Sequence, residues 1–357
     1  MKKNHSFITA FIFFVFSSTA ALAQGDVSDL IKSSPADATK LASAYLKPLF
    51  KGFGIGLNSG WNNSAHSKNL LRFDLRLGVT GAIVPQKDEI FDVTKIGLSN
   101  RVKPANPSQV TTPTLSGSTN NSTQLTVYDS SDRPIETFTL PEGTGLNLIP
   151  APQLQGTIGL SRGIDFTLRA MPKLNLGNNV GSIGMIGGGL KVEVLPLISG
   201  TIDKIFPIDV AIAVGYTQFN YNLPLEVNAP SNAQPASPGQ NQDFSNQRIE
   251  AKFSGINTEA IISKRFLVFT PFLSLGYNTS KTDVGLKGNY PIVTGANLLG
   301  RTYTVFTDPV NINQTDIKGF RSNLGFQLNL AFFRIYGSYS MAEYNSFNAG
   351  IGFGLGK

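Results

Sequence analysis

The chain contains no cysteine among its 357 residues, only two histidines and a single tryptophan. Without cysteine an exported protein cannot be a disulfide scaffold, and a lipid anchor through a cysteine is excluded. So little histidine, and no thiol, leaves no expectation of a transition-metal centre or of another cofactor. Charge is also sparse, with Asp, Glu, Lys and Arg making up 15% of residues. Setting Lys2 and Lys3 aside, the formal excess falls from +7 to +5. No basic stripe alternates with aromatics, which speaks against a nucleic-acid partner. Nor does any segment after the N-terminus approach the ~18 unbroken apolar residues that a membrane-spanning helix needs.

Glycine and aromatics, by contrast, are plentiful: 36 Gly, 25 Phe and 10 Tyr. They suit alternating strands with close backbone approaches and aromatic belts at a membrane interface. The N-terminus supplies a context for them. Lys2 and Lys3 precede the short apolar run Phe7 to Phe16, and Ala21-Leu22-Ala23 offers small residues for cleavage. Residues 1–23 therefore read as a secretory signal, cut between Ala23 and Gln24.

Residues 24–50 form a helical segment. Ser34-Pro35-Ala36-Asp37 resembles a capping box, and Ala38, Leu41, Ala42, Tyr45, Leu46 and Leu49 recur at helical spacing up to Pro48. Such a helix could pack on the end of a sheet, or act as a plug or periplasmic latch in a barrel mouth. Residues 51–357 read as strands. The clearest is Leu70 to Val84, where Leu71, Phe73, Leu75, Leu77, Val79 and Ile83 alternate with Arg72, Asp74, Arg76, Gly78, Thr80 and Ala82. That is a strand with one oily and one polar face, long enough to cross a bilayer at ~9–11 residues.

Further strands are expected at Phe53–Trp61, Ile90–Leu98, Gln153–Leu160, Ile164–Met171, Ile183–Leu195, Ile208–Tyr221, Arg248–Ser263, Phe266–Ser280, Phe320–Leu330, Arg334–Met341 and Phe347–Gly356. The total is about twelve, with ten or fourteen as alternatives. Residues 99–152, 222–246 and 281–316 are rich in Ser, Thr, Asn and Pro and read as long loops, the first with a small hairpin in it. All three fall opposite the chain ends, whereas the tight turns at 161–163, 264–265 and 331–332 fall beside them. Outer-membrane barrels sort their loops in this way. The fold class expected is an all-β, transmembrane antiparallel β-barrel in the cell outer membrane, with bilayer lipid and the barrel assembly machinery as partners.

FKGFGIGLNSGWNNSA at Phe50–Ala65, followed by FDLRLGVTGAIVP and FDVTKIGLSN, resembles a family of uncharacterised outer-membrane β-barrel proteins of Bacteroidota. More distantly, a helical segment ahead of the first strand is similar to long-chain fatty-acid transporter-type barrels. That resemblance implies a plug in the lumen. The chain departs from the general pattern at its end, finishing Leu355-Gly356-Lys357 rather than on an aromatic residue.

Motifs for chemistry are weak. Gly159-Leu160-Ser161-Arg162-Gly163 matches the G-x-S-x-G nucleophile pattern, but a strand follows it instead of a helix. The parity of the strands also puts His66 at the opposite end from Ser161, so a lipase is a remote third reading. The glycine runs at 52–56 and 350–354 have a spacing of two and open no helix in this parsing, unlike a phosphate loop. Asp129-Ser130-Ser131-Asp132 lacks the remaining spacing of a calcium loop. No catalytic, cofactor or metal residue is assigned. Arg72, Asp74, Arg76 and Arg321 are the candidate lumen-facing residues. The function expected is a passive channel or transporter for small or hydrophobic solutes; the alternative is a surface barrel whose loops mediate recognition.

Overall fold

A computed structural model describes residues 33–354 except 130, 162, 199–207, 230, 232, 298 and 299. The expected signal sequence, its cleavage point at Ala23/Gln24 and the final three residues lie outside these. Ten strands form the wall: β1 (Phe73–Ile83), β2 (Leu148–Ser161), β3 (Ile164–Asn175), β4 (Ser182–Glu193), β5 (Asp209–Pro224), β6 (Arg248–Ser263), β7 (Phe269–Lys287), β8 (Val310–Leu330), β9 (Phe333–Met341) and β10 (Ser346–Gly354). Each pairs antiparallel with its neighbours, and β1 closes the ring on β10 with Leu77 opposite Ile351.

The two-residue period decides which face is which. Along β1, Asp74, Arg76, Gly78, Thr80 and Ala82 are buried, whereas Phe73 and Leu75 are exposed. The same oily outer face runs around the wall through Leu168, Ile212, Leu275 and Leu324, each close to half exposed or more. Two aromatic rows bound it. Phe333 packs on Phe353 (5.9 Å) and Phe269 on Phe326 (6.0 Å) at the turn end; Tyr277 meets Phe320 (5.2 Å) and Tyr339 meets Phe347 (5.0 Å) towards the loops. At ~3.3 Å per residue and a tilt of ~40°, these rows stand about 15–20 Å apart.

Two expected strands are absent from the wall, which has ten members rather than twelve. Phe53–Trp61 is not a strand: the helix α1 spans Pro35–Asn58 and runs through Pro48. Its glycines at 52, 54 and 56 imitate strand alternation but serve helix contacts instead. Ile90–Leu98 yields only Ile90–Asp92, which pairs with Thr111–Pro113 above the barrel. Losing two strands preserves parity, so the long connections still share the end opposite the described C-terminus.

The long loops are also more structured than expected. Val102–Pro104, Gln124–Tyr128 and Pro134–Thr139 form one small sheet; Ala233–Pro235, Asn289–Asn297 and Gly300–Thr307 form another. β7 and β8 extend well into the expected loop 281–316, pairing as far as Leu286 with Val310.

Candidate functional site

The lumen is the site, and the chain itself fills it. A barrel of about eight strands is filled by side chains alone; the ten here leave room for one helix. Ser34 caps α1, its Oγ accepting from the Asp37 N–H (3.3 Å), and Pro35 opens the helix. Asp37 in turn accepts from the Ser99 N–H (2.7 Å) and Oγ (2.6 Å), which sews the helix start to the loop cap. Lys47 pairs with Asp88 (2.6 Å), and Tyr344 donates to the other Asp88 oxygen (2.8 Å). Lys51 pairs with Glu343. Burial works against the Asp88 charge, but its bonds from Lys47 and Tyr344 win and hold the carboxyl below its ordinary range.

Further in, the interface becomes apolar and close. Phe53 packs edge-on against Phe219 (4.8 Å) and Phe253 (5.1 Å), with Phe50 beside Phe253 (6.1 Å). Gly56 allows the helix backbone against the wall: a Cβ there would lie 2.2 Å from that of Ala151.

The helix end brings carbonyls that have no partner within the helix, at the negative end of its dipole. Wall arginines take them. Arg169 donates to Leu57 O (2.7 Å) and Ser59 O (2.6 Å), braced by Gln155 (2.8 Å). Arg321 donates to Asn58 O (2.8 Å), and Arg76 to Trp61 O (3.0 Å). Such charge-assisted bonds contribute about 1.5–3 kcal/mol each. The Arg169 guanidinium also stacks 3.9 Å from the centre of the Trp61 ring. That indole lies against Gly189 and Gly215, which face each other across β4 and β5; a Cβ on Gly215 would come within 2.5 Å of the ring.

From Trp61 the chain runs to the turn end without helix or strand. Asn62 donates to Glu259 (2.9 Å), which also accepts from Ser274 (2.9 Å). Lys191 donates to Ser64 O (3.1 Å) and His66 O (2.7 Å) and pairs with Asp165 (3.1 Å). Lys68 N donates to Asp165 (2.8 Å), and its ammonium lies 3.6 Å from Asp74, which also meets Arg334 (2.5 Å) and Arg76 (3.3 Å). At the rim, His66 Nδ1 faces Glu193 (3.3 Å) and Asp209 (3.5 Å), while the Ser67 N–H (2.6 Å) and Oγ (2.5 Å) both donate to the second Glu193 oxygen. Burial lowers the His66 pKa, but the two carboxylates outweigh it and leave the imidazole above its ordinary value.

Of the four candidate lumen residues, Asp74, Arg76 and Arg321 lie buried inside the barrel, in contact with one another's neighbours or with the N-terminal segment. Arg72 does not: it is exposed in the turn before β1, where its N–H bonds Asn69 O (3.0 Å). His66 and Ser161 occupy the same end of the barrel, contrary to the parity reading, because the chain crosses the lumen between α1 and β1. Ser161 closes a strand and leads into a hairpin, without the strand-to-helix elbow that would present a nucleophile. Asp129 spends its carboxylate on its own turn, accepting from Ser131 N (2.8 Å) and Arg133 N (2.9 Å). Arg169, Lys191, Glu193 and Asp165 escaped the sequence reading. Each sits on the polar face of an alternating strand, the signal that picked out Asp74 and Arg76.

A closed β-barrel with an oily exterior and a lumen filled by its own N-terminal segment is thus the class that fold and site define. The chain belongs to a family of unknown function, DUF6588, whose family model matches residues 1–355. No curated protein matches it. Among solved structures it is similar to the outer membrane protease OmpT of Escherichia coli, with 8% identity, 84% of this chain and 100% of that chain covered, and a TM-score of 0.31. It is also similar to the translocator domain of the autotransporter NalP from Neisseria meningitidis (9% identity, 90% and 98% covered, TM-score 0.30). A Pseudomonas aeruginosa FadL homologue aligns at 12% identity, covering 85% of this chain and 96% of that chain, with a TM-score of 0.22.

Proposed function

We propose that the protein is an outer-membrane β-barrel that acts as a gated channel for small solutes, held closed at rest by residues 35–69. Lipid is the surrounding that an apolar outer face between two aromatic rows suits, and closure leaves no unpaired strand edge in it. The observation that carries the gate is the continuous course of the segment, from Asp37 bonded to Ser99 at the loop mouth to Lys68 bonded to Asp165 at the turn mouth. The segment does not fill the loop mouth completely. There a cleft of about 630 Å³ opens between the helix flank at Thr39, Lys40 and Ser43 and the wall at Asn311–Asp316.

Conductance in planar bilayers tests the reading. The full-length chain is expected to show little current, and deletion of residues 35–69 to produce steady openings while heat-modifiable migration on denaturing gels is retained. Equal, large conductance with and without the segment overturns it. A second reading, recognition at the surface, is favoured by the folding of the loops into small sheets; it requires a loop deletion that abolishes a surface interaction and leaves permeability unchanged.

A further inference from the structure

We propose that His66, Glu193 and Asp209 form a binding site for one divalent cation of the zinc class, which pins the tail of the lumen segment to the barrel wall. Three donor atoms converge there. His66 Nδ1 stands 3.3 Å from Glu193 Oε1 and 3.5 Å from Asp209 Oδ1, and the three lie within 4.8 Å of one another. Ligands of a tetrahedral zinc ion at ~2.0–2.1 Å stand about 3.3 Å apart, so two of the three edges already have the required length.

The remaining oxygens are held by other groups, as the outer partners of metal-bound carboxylates usually are. Ser67 binds Glu193 Oε2 through both its N–H and its hydroxyl, and Arg265 lies 3.6 Å from Asp209 Oδ2. Each carboxylate is thereby turned so that its other oxygen faces the imidazole. A proton on Nδ1 divided between two acceptors makes two long, weak bonds, whereas a metal ion engages all three donors at full strength. Nitrogen-plus-oxygen donors suit zinc, and a cation offsets the repulsion between two neighbouring carboxylates. Lys191 is directed away from the donors, to the carbonyls of Ser64 and His66 and to Asp165. His66 is over a third exposed, which gives an ion a path from solvent and leaves a coordination position for water.

The donors belong to different parts of the molecule. His66 comes from the lumen segment, Glu193 from the end of β4 and Asp209 from the start of β5. Binding an ion therefore ties segment to wall, a role that rests on the plug reading; binding itself does not. The experiment uses the full-length protein folded in detergent, stripped with EDTA and titrated with Co²⁺ as a spectroscopic probe, then with Zn²⁺. One Co²⁺ per chain is expected, with visible d–d absorption that Zn²⁺ abolishes. His66→Ala and Asp209→Asn are each expected to weaken binding at least tenfold. Asp209→Asn is nearly isosteric and decides the matter where His66→Ala fails to fold. Absence of stoichiometric uptake, or unchanged affinity in these variants, overturns the proposal. A full-length barrel that conducts freely yet binds one ion would instead remove the plug reading and leave the site standing.

Discussion

Trp61 is the sole tryptophan of the chain, and it lies buried inside the barrel against two paired wall glycines and beside the Arg169 guanidinium. Its emission therefore reports on whether the segment is seated. Gly215→Val places a branched side chain where the ring now sits, an overpacking that costs about 1–3 kcal/mol. Arg169→Ala removes two carbonyl bonds and the stacked cation, leaving buried acceptors unsatisfied at about 1–3 kcal/mol. Either change is expected to shift the Trp61 emission to longer wavelength without altering heat-modifiable migration. Emission unchanged from the parent in both variants would show that the indole does not depend on this pocket. Arg169 could have been found from the alternation Asp165, Thr167, Arg169, but nothing in that pattern says that it caps a helix.

The helix is the element whose reading changed most. Its start was legible, because a cap at Ser34 and proline at the first position act through local bonds. Its end was not. Pro48 in a helix interior costs ~3 kcal/mol, and the glycines after it lower helix propensity further. Local rules therefore stop the helix at the proline. What carries it on to Asn58 is contact with the wall: Gly56 against Ala151, Phe53 against Phe219 and Phe253, and arginines on the final carbonyls. Midway along α1, beside Pro48, the Lys47–Asp88–Tyr344 cluster ties helix to loops, and its acid has a depressed pKa. A depressed acid contributes stability above its unfolded value near 3.8, and that contribution is lost as pH falls through the lower folded value. Amide protection at residues 86–92, with exchange corrected for the intrinsic rate at each pH, is accordingly expected to drop below about pH 4. Asp88→Asn should show the lower protection already at neutral pH, and little further loss of protection on acidification.

At the scale of the whole molecule, the direction of the lumen segment sets the topology of the chain. α1 begins among the loops, and the chain leaves the lumen at the turn end before entering β1. In the proposed outer-membrane orientation the loops face outward. A tag inserted ahead of Ser33 should therefore be labelled by antibody on intact cells, as should one in the 233–240 loop. A tag in the turn at 331–332 should be labelled only after permeabilisation. Labelling of the Ser33 tag only after permeabilisation would reverse this topology. The barrel itself was read from alternation, repeated strand lengths and the sorting of short and long connections. The ten strands of the wall are the lower alternative to the expected twelve, since a short apolar alternation cannot show whether its partner lies in the wall or in a loop sheet.

The oily and polar faces of Phe73–Ile83, the tight turns and the helix cap at Ser34 follow from the sequence alone, because strand period, turn and cap act over a few residues. Closure of ten strands, the passage of α1 through Pro48, and the meeting of His66 with Glu193 and Asp209 were decided only in the tertiary structure. These depend on contacts between residues about a hundred or more positions apart. A chain that fills its own lumen must bring such distant residues together, and no local pattern encodes which ones.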